Sequence, residues 1–539
     1  MSVTESKYLL AISIGPVQGF IAAARKTRDL WFGSYILSEI SKAVARCVTE
    51  KGNELIFPGI RNKEDIQENS TVSVANILLA VVGDDPNATA KNAKKTALAY
   101  WKTIADKVKL DNREIINRGI WDTQIDDVVE FYAAWVPMDS DYSESRNRVM
   151  RLLAGRKNCR EFEPSQVQNG RGIPKSSLDG ARESVLNKEK AINDSQIKSN
   201  EHLDAVGLVK RYGAKDEQTP FPSVLKFALD PLKRNGTFFE ENDWKTLCKS
   251  DNFAEWKKEN PEFRKHVDEH GLYYAVLHAD GDKIGAALAD IKKPKEHREF
   301  SLKLAEFAAT VPGIVEESHG ECVYSGGDDV LAFLPVDTCL DCARELHDKF
   351  TEVEKNVSLS VGIVIVHVHE MLETVLEFAR EAERIAKQAN DPKKQEDDLL
   401  GHRDGLAIRF YARSNDCTTV RERWGNKGNE NAIDNRLKTF ADYFSKKMIP
   451  MKYPYDLRQF FDFYRKSDGF VGDDFEIIRK DMIRMSKKKE MKTEMVEKLK
   501  GFIDGLQSAE AIERFSGEML IAQVIGEAIA LAKGQGDRT

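Results

Sequence analysis

Apolar residues along this chain gather in short runs that are separated by glycine, proline and charged positions. The first run, Tyr8–Ile14, is uninterrupted, as in a buried strand, and Gly15 and Pro16 end it before an apolar repeat of helical period over residues 17–44. Further elements are predicted as strands at 74–82 and 128–135 and a helix at 88–108. The pattern predicts an α+β domain over residues 1–160.

The second half of the chain gives the clearest alternation of strands and helices. Strands are predicted at 273–278, 322–324, 330–334 and 358–368, and helices at 300–311, 339–354 and 371–389. The order β-α-β-β-α-β is that of a ferredoxin-like palm, followed here by an extra helix and a strand at 406–411. Residues 270–415 are therefore predicted to form a palm domain.

The two remaining regions have weaker or purely helical patterns. Residues 161–269 are polar, charged and glycine-containing, which predicts a mainly helical connector domain with long loops. Beyond residue 416, apolar residues recur at helical spacing, as at Ile433, Leu437, Phe440 and Phe444. Residues 416–539 are predicted to form a helical C-terminal domain.

The amino-acid composition limits the classes of protein to which this chain can belong. With 41% hydrophobic and 31% charged residues, the 539-residue chain has ordinary globular usage. Its 7 cysteines, an odd number, argue against a secreted disulfide framework and favour a cytoplasmic location. The longest apolar stretch noted, 357–368, is shorter than the roughly 20 residues that cross a bilayer, so no membrane contact is expected. The 81 basic and 88 acidic residues provide no overall attraction for nucleic acid, so any such contact must be local or made through partners.

Two acidic clusters follow predicted strands of the palm. Asp280 and Asp282 come after the central strand, and Asp328 and Asp329 end the segment 325–329 at the tip of a neighbouring hairpin. Carboxylates on adjacent strand ends can share Mg²⁺ or Mn²⁺, and glycines without Cβ atoms let a triphosphate approach the backbone. In the alternative interpretation, the glycines form an ordinary hairpin turn and the aspartates are solvated. The two clusters together favour a two-metal nucleotidyl-transfer site.

Five segments, in this order, carry a resemblance to a known family. They are IGPVQGFI from Ile14, ARKTRDLWFGS from Ala24, KSSLDG from Lys175, ADGDKIG from Ala279 and SGGDD from Ser325. With these segments the chain resembles the large polymerase-cyclase subunit of type III CRISPR effector complexes, Cmr (type III-B) branch. The resemblance implies an α+β fold with two ferredoxin-like palm domains face to face, the second holding the metals, together with a helical connector and a helical C-terminal domain.

The resemblance also implies an activity and partners. Members of this family join ATP molecules into cyclic oligoadenylate second messengers when their complex, which contains other Cmr subunits and a guide RNA, binds target RNA. Two divalent cations would be held by Asp280, Asp328 and Asp329, with Asp282 as an outer member. The triphosphate would lie along Ser325, Gly326 and Gly327.

Three further basic or polar side chains are candidates for nucleotide contacts. Lys387 resembles a phosphate-contacting lysine of related GGDEF cyclases, and its alternative is a solvated helix lysine. Gln18 and Arg25, with Arg28, could face the nucleotide pair from the first palm. Helix capping and surface ion pairs are the commoner fate of such side chains. The basic run 487–489 is more typical of a solvated helix face than of an RNA contact.

The sequence also departs from the family's pattern in two places. Many relatives carry an N-terminal HD nuclease domain, but the first palm strand begins at Tyr8, and His347 and Asp348 lie in a predicted helix without companion ligands. We therefore expect no DNA cleavage by this chain. Some relatives bind zinc through four connector cysteines, whereas only Cys159 and Cys248 are near, so no structural zinc is expected.

Other functions remain open on the sequence alone. One branch of the family joins AMP to S-adenosylmethionine, and nothing in the sequence excludes this acceptor. A non-catalytic RNA-binding scaffold is disfavoured because a structural palm does not need aspartates that repel one another. A free-standing GGDEF-type guanylate cyclase is weakened because Asp329 and Val330 stand where that motif has Glu and Phe.

Overall fold

A computed structural model defines the fold over most of the chain. It describes residues 7–50, 52–70, 72–83, 85–159, 172–191, 196–214, 221–236, 239, 244, 257–259, 261, 264–265, 271–387, 403–413, 416–426, 428–466, 469–470, 475–488, 491–506 and 508–534. Much of the predicted connector, including Cys248, lies outside these residues. Two main sheets and several helical layers make up the described part.

The first sheet has four antiparallel strands. They are β1 (Tyr8–Gly15), β2 (Glu54–Phe57), β3 (Ile77–Val82) and β4 (Glu130–Pro137), in the spatial order β2-β3-β1-β4. This is the ferredoxin-like order, because the first strand lies between the third and the fourth. Helices connect the first strand to the second and the third strand to the fourth. The predicted strands of the first domain are confirmed, and β2 was not predicted.

Five helices accompany the first sheet. They are α1 (Gln18–Ala22), α2 (Thr27–Thr49), α3 (Pro86–Asp111), α4 (Arg118–Ile125) and α5 (Tyr142–Asn158). The start of α3 is fixed by Pro86 in its first turn and by the Asp85 carboxylate, which accepts a hydrogen bond from the Ala88 amide at 2.8 Å. Helices α2 and α3 cover one face of the sheet, and α5 covers the other.

Three short helices lie in the described part of the next region. They are α6 (Lys188–Ala191), α7 (Ala205–Tyr212) and α8 (Val224–Arg234). Helix α7 packs against α2 and α4, while α8 packs against the second sheet. This region therefore contacts both halves of the molecule.

The second sheet has six strands. They are β5 (Tyr273–Asp282), β6 (Glu321–Gly326), β7 (Asp329–Leu334), β8 (Ser358–His367), β9 (Gly405–Tyr411) and β10 (Cys417–Arg423), in the order β10-β9-β8-β5-β7-β6. The four strands β5 to β8 repeat the ferredoxin-like order, so the predicted fold class of two palms is confirmed. Strand β9 extends this sheet parallel to β8, and β10 pairs antiparallel with β9.

Both faces of the second sheet are covered by helices. These are α9 (Ile284–Asp290), α10 (Pro294–Glu317), α11 (Cys339–Thr351) and α12 (Leu372–Lys387). Side chains alternate along β5, so Ala275, Leu277 and Ala279 face α10 and α11, while Tyr274 and Val276 face α12 and the first half of the chain. Burial on both faces explains why the strand sequence is continuously apolar.

The C-terminal part is helical. Its helices are α13 (Ile433–Ser445), α14 (Tyr453–Tyr464), α15 (Phe475–Lys488), α16 (Thr493–Asp504) and α17 (Ala509–Ala532). A hairpin of two short strands, β11 (Arg465–Lys466) and β12 (Gly469–Phe470), follows α14. Within the described residues, the segment 511–532 is long and apolar enough to cross a bilayer, but 61% of its most apolar window is buried inside the protein. Its packing against α13 and α14 accounts for that composition.

Candidate functional site

A cavity of about 630 Å³ lies between the two palm sheets. One wall comes from α1, α2 and the segment 73–76, and the other from β5, β6, β7 and α12. Its polar lining includes Gln18, Ser34, Ser38, Ser73 and Asn76 on the first wall, and His278, Tyr324, Asp329, Arg380, Glu383 and Arg384 on the second. The volume lies within the range of small-molecule sites.

The two acidic clusters meet at the edge of this cavity. Strand β5 continues through Asp282, beyond its predicted end at His278, so Asp280 is a strand residue and not a loop residue. Asp280 and Asp329 are direct cross-strand partners in the β5–β7 ladder. Asp280 therefore shares a sheet face with His278 and Asp282, and this face is the one that looks toward α12.

The hairpin between β6 and β7 has a two-residue turn. Gly327 has a φ of +76°, which places it in the left-handed region that a tight hairpin turn requires at this position. The Gly281 amide donates to the Asp328 carbonyl oxygen at 3.0 Å, and a Cβ on Gly281 would lie 2.7 Å from the Asp328 Cβ. The absence of a side chain at Gly281 thus lets the turn reach the end of β5.

Side chains alternate between the two faces of a strand, so Ser325 and Gly326, both predicted to line the triphosphate, lie on opposite faces of β6. Gly326 lines the cavity, but the Ser325 hydroxyl is buried and donates to the Ala308 carbonyl oxygen of α10 at 2.8 Å. Tyr324, the residue before Ser325, lines the cavity. Ser325 is therefore directed away from the cavity.

The acids at the site repel one another. Burial raises the pKa of Asp329 to about 7, and the neighbouring Asp328 and Glu383 carboxylates add to the rise. Burial and the Asp282 carboxylate raise the pKa of Glu383 to about 7 as well. Burial also raises the pKa of Asp328. Such a set of acids favours a nearby positive charge.

Lys387 provides one such charge. Its ammonium donates to Asp280 Oδ2 and lies 2.9 Å from Glu383 Oε1, and burial lowers its pKa to about 8. Its side chain is 13% exposed, so it is not a solvated helix lysine. In this structure it contacts carboxylates at the end of β5.

Two glycines allow α12 to lie close enough to the sheet for these contacts. A Cβ on Gly362 of β8 would lie 2.2 Å from the Glu383 backbone nitrogen, and one on Gly405 of β9 would lie 2.2 Å from the Ala386 carbonyl oxygen. Both distances are far inside van der Waals contact. The helix that carries Glu383 and Lys387 can occupy its position only because these two side chains are absent.

Asp282 differs from the other acids because its carboxylate is fully buried. Its Oδ2 accepts hydrogen bonds from the hydroxyls of Ser358 at 3.0 Å and Ser360 at 2.7 Å and from the Asp404 amide at 2.9 Å. Its Oδ1 has no hydrogen-bond partner among the residues that the structure describes, and Arg403 Nη1 lies 3.9 Å from it. Burial raises the pKa of Asp282, and the hydroxyl donors oppose that rise.

The first-palm candidates are not brought together at the cavity. Gln18 lines it, but Arg25 is exposed and is not part of the lining. The Arg28 guanidinium donates to the Ala214 carbonyl oxygen at 2.8 Å and thus binds the neighbouring segment. Of the basic run, Lys487 is exposed, and Lys489 lies outside the described residues.

Several cavity residues were missed by the sequence analysis. Arg380, Glu383 and Arg384 were missed although, together with the predicted Lys387, they follow the spacing i, i+3, i+4, i+7 and thus share one face of α12, a signal that the sequence contained. His278 lies two residues before Asp280 on the same strand face. Its Nε2 is 3.1 Å from the Tyr324 hydroxyl, which donates to Asp329 Oδ1 at 3.4 Å. Burial lowers the pKa of His278 to about 4, so its imidazole is neutral.

The donor chemistry of the site fits a hard cation. Carboxylates are the oxygen ligands that Mg²⁺ and Mn²⁺ prefer, and Asp280 and Asp329 lie side by side as cross-strand partners. Among the residues described, no group of three or more His, Cys, Asp or Glu side chains adopts a ligand arrangement. Asp280 bonds to Lys387 instead.

The other metal-related candidates lie away from the cavity. Cys159 is exposed, and Cys339 and Cys342 are buried in α11, as structural thiols would be. His347, also in α11, bonds to Asp404 at 2.8 Å and approaches Asp348 at 3.3 Å. These contacts use both ring nitrogens of His347.

Comparisons with known proteins agree with this architecture. A family model described as "Cas10/Cmr2, second palm domain" matches residues 273–396, and one described as "CRISPR-associated protein Cmr2, N-terminal" matches residues 9–106. The chain is 24% identical to the CRISPR system Cmr subunit Cmr2 of Pyrococcus furiosus, over 96% of this chain and 74% of that protein.

Solved structures share the fold. A type III-B Cmr-beta structure bound to cognate target RNA contains a chain that matches with a TM-score of 0.66 at 14% identity, over 91% of this chain and 80% of that one. A Csm1–Csm4 cassette in complex with pppApApA contains a chain that matches with a TM-score of 0.51 at 11% identity, over 96% of this chain and 69% of that one.

Proposed function

Because the chain belongs to the Cas10/Cmr2 family of type III-B CRISPR subunits, we propose that its second palm transfers nucleotidyl groups from ATP to make a cyclic oligoadenylate. The observation that carries this proposal is the direct pairing of Asp280 with Asp329 at a cavity large enough for a nucleotide. The similarity of fold to a cassette in complex with pppApApA supports it.

Two divalent cations, Mg²⁺ or Mn²⁺, would be held by Asp280, Asp328 and Asp329, with Asp282 as the outer member. When bound, the cations would lower the pKa of a ribose 3′-hydroxyl and neutralise charge on the attacked phosphate and the departing pyrophosphate. Lys387 balances the charge of Asp280 and Glu383. The ammonium of Lys387 thus holds Asp280 and Glu383 close together.

The basic side chains of α12 bind phosphate in this proposal. Arg380 and Arg384 line the cavity on the wall that carries Asp329, and a guanidinium can bind two phosphate oxygens at once. Gly326 and Gly327 leave the β6–β7 turn without side chains, so a triphosphate could lie along the backbone.

The opposite wall orients the second nucleotide. Gln18, Ser34, Ser38 and Asn76 face the cavity from the first palm and carry hydrogen-bonding groups of both kinds. Ser38 and Asn76 are already held in place, since Ser38 Oγ accepts from the Val74 amide at 2.8 Å and Asn76 Nδ2 donates to the Ile14 carbonyl oxygen at 3.2 Å. Reaction then requires both walls, because a fixed geometry of the two reactants lowers the barrier.

The proposed partners are other Cmr subunits, with guide RNA and target RNA bound through the complex. The similarity of fold to a Cmr-beta chain in a complex bound to cognate target RNA supports this. The cytoplasm is the proposed compartment, consistent with the six described cysteines, which are all free thiols.

A non-catalytic scaffold is the second candidate function. It is favoured by one observation, the bond between Lys387 and Asp280, which occupies a carboxylate that a cation would need. In a scaffold this ion pair would be permanent. In an enzyme it would exchange for a cation when ATP binds.

The test uses the assembled complex with target RNA, labelled ATP and Mg²⁺, with and without S-adenosylmethionine. We expect cyclic oligoadenylate by mass spectrometry from the natural chain, and none above the Mg²⁺-free level from the Asp280→Asn/Asp329→Asn double variant. Asp290→Asn, an exposed acid on α9, is the matched control and should keep full activity.

Three results would change the proposal. An AMP–S-adenosylmethionine adduct as the main product would identify the other acceptor. A double variant as active as the Asp290→Asn control would remove the site assignment. Absence of any nucleotide product at saturating ATP, Mg²⁺ and target RNA would favour the scaffold.

A further inference from the structure

Two neighbouring basic residues of α7, Lys210 and Arg211, are both 0% exposed. Burying a charge is costly unless it is fully paired, so such residues need a compensating set of partners. Both hydrogen-bond acceptors that the structure gives to Lys210 lie at the junction of α1 and α2. Arg211 bonds to the first turn of α2 and to the segment that precedes α7. Neither residue lines the cavity between the palms.

Lys210 binds the end of α1. Its ammonium donates to the carbonyl oxygens of Phe20 and Ala23 and lies 5.0 Å from the centre of the Phe20 ring. Helix α1 has only five residues, and carbonyl groups in the last turn of a helix have no partner inside the helix, so those of Phe20 and Ala23 need an outside donor. A cation is also the favourable charge at that end of a helix.

Arg211 binds the start of α2. Its Nε and Nη2 donate to Asp29 Oδ1 at 2.8 Å and Asp29 Oδ2 at 2.7 Å, which is a bidentate pair with a carboxylate that is itself 0% exposed. Nη2 also donates to Glu201 Oε1 at 2.8 Å. The guanidinium therefore ties α2 to the segment before α7.

These anchored atoms lie in sequence between the residues that form the first wall of the cavity. In α1, Gln18 precedes the bound carbonyl group of Phe20, and Ile21 lies between the bound carbonyl groups of Phe20 and Ala23. In α2, the wall residues Leu30, Ser34 and Ser38 follow Asp29. Lys210 also supports α2 directly, because a Cβ on Gly33 would lie 3.3 Å from Lys210 Cδ. The wall is therefore held from behind by α7.

We propose that Lys210 and Arg211 are positioning residues, which hold the α1–α2 wall at the distance from Asp280 and Asp329 that the second ATP requires. The proposal rests on the proposed function and adds a role for the region between the palms. A displaced wall would bind the second ATP more weakly in the ground state and in the transition state alike, which raises KM and leaves kcat largely unchanged. A purely structural role would lower stability without changing nucleotide affinity selectively.

The test compares Lys210→Met with Leu208→Ala in the assembled complex with target RNA. Leu208 is also 0% exposed on α7 but packs in the core of the first domain, so its truncation weakens the same helix without freeing the α1 carbonyl groups. Each variant is assayed at a temperature below its measured melting point. We expect Lys210→Met to raise KM for ATP about tenfold with a much smaller change in kcat. Leu208→Ala should stay within about twofold of the natural KM.

Equal KM values for the two variants would overturn the proposal, as would an unchanged KM in Lys210→Met. If Lys210→Met does not assemble, Arg211→Lys decides the question, because it keeps the charge but loses the bidentate fork. It should raise KM for ATP with target RNA binding unchanged, and an unchanged KM would again overturn the proposal.

Failure of this inference can be told apart from failure of the proposed function. ATP affinity is also measured by equilibrium binding, which needs no turnover. A complex that makes no product yet binds ATP more weakly with Lys210→Met than with Leu208→Ala would reject nucleotidyl transfer and retain the positioning role. Equal ATP affinities in that complex would reject both.

Discussion

At the scale of single residues, the site is a group of acids whose charges are balanced by different means. Asp280 is paired with Lys387, Asp282 is held by hydroxyl and amide donors, and Asp329 has neither of these strong partners. The pKa of Asp329 is accordingly raised to about 7. We infer that Asp282 organises the end of the strands, whereas Asp329, which lines the cavity, is in a position to meet a cation there.

Asp282→Ala tests this division of roles. The substitution would leave the Asp404 amide and two serine hydroxyls without their buried acceptor, so we expect the free energy of unfolding to fall by about 2–3 kcal/mol. Denaturant unfolding measures it, with the exposed Asp290→Ala as control. Equal unfolding free energies for the two variants would show that Asp282 has no organising role.

The acidic residues could be found from the sequence, but not all their surroundings could. The acids lie at or beside the ends of strands, and these strands can be recognised in the sequence because burial on both faces makes them continuously apolar. The direction of Ser325 was missed because a one-residue step along a strand reverses the face, and nothing in SGGDD fixes that register. Arg380 and Glu383 were missed because their position depends on how closely α12 packs on the sheet.

At the scale of elements, the important relation is that between α12 and the second sheet. Gly362 and Gly405 let the helix backbone approach β8 and β9, and this approach brings Glu383 and Lys387 to the end of β5. The helix and β8 were predicted from the sequence nearly to their observed ends. Strands β2 and β10 were missed, since β2 has only four residues, too few to establish a period, and β10 is a polar edge strand.

Gly362→Ala should displace α12. The added methyl would lie 2.2 Å from the Glu383 backbone nitrogen, which cannot yield without moving the helix. We expect nucleotide product to form roughly 100-fold more slowly, because Arg380 and Lys387 shift together. Rates are measured in the assembled complex with target RNA.

Gly313→Ala is the matched control for this prediction. Gly313 lies in α10, and a methyl group added there would meet no neighbouring atom within 4 Å, so alanine should leave the rate unchanged and stabilise the helix by up to about 1 kcal/mol. A rate for Gly362→Ala equal to that of this control would mean that close packing of α12 is not needed.

At the scale of the whole molecule, the two palms meet at more than the cavity. The Tyr142 hydroxyl of α5 and His297 Nδ1 of α10 are hydrogen-bonded at 2.6 Å, and Arg146 donates to the Leu288 carbonyl oxygen at 2.5 Å. The Gly59 amide bonds to the Ser301 hydroxyl. These contacts join the two palms on the face of the second sheet that α10 covers, which is opposite the face that α12 covers.

The contact at His297 predicts a dependence of stability on pH. Burial, aided by Arg146, lowers the pKa of His297 from 6.5 to about 4. Between these values the unfolded chain binds a proton that the folded chain does not, so stability is lost as the pH falls below about 6.5. By pH 5 the loss from this residue should reach about 2 kcal/mol.

Chemical denaturation at pH 7.5 and pH 5 measures this effect. His297→Gln keeps a hydrogen-bonding side chain but does not titrate, so its loss of stability between the two pH values should be smaller than that of the natural chain by about 2 kcal/mol. The change that remains has two opposing sources: burial also lowers the pKa of His278 and His367 to about 4, whereas the raised pKa values of Asp329 and Glu383 add stability as the pH falls. An identical loss in both proteins would exclude His297 as a source.

The cavity has one wall encoded before residue 77 and the other after residue 277. A fragment cut from either side of the connector would keep a sheet of its own and yet present only half of a cleft. Loss of activity on truncation would then not show which half holds the catalytic residues. Recovery of activity on mixing the two fragments would show that both halves form the cleft.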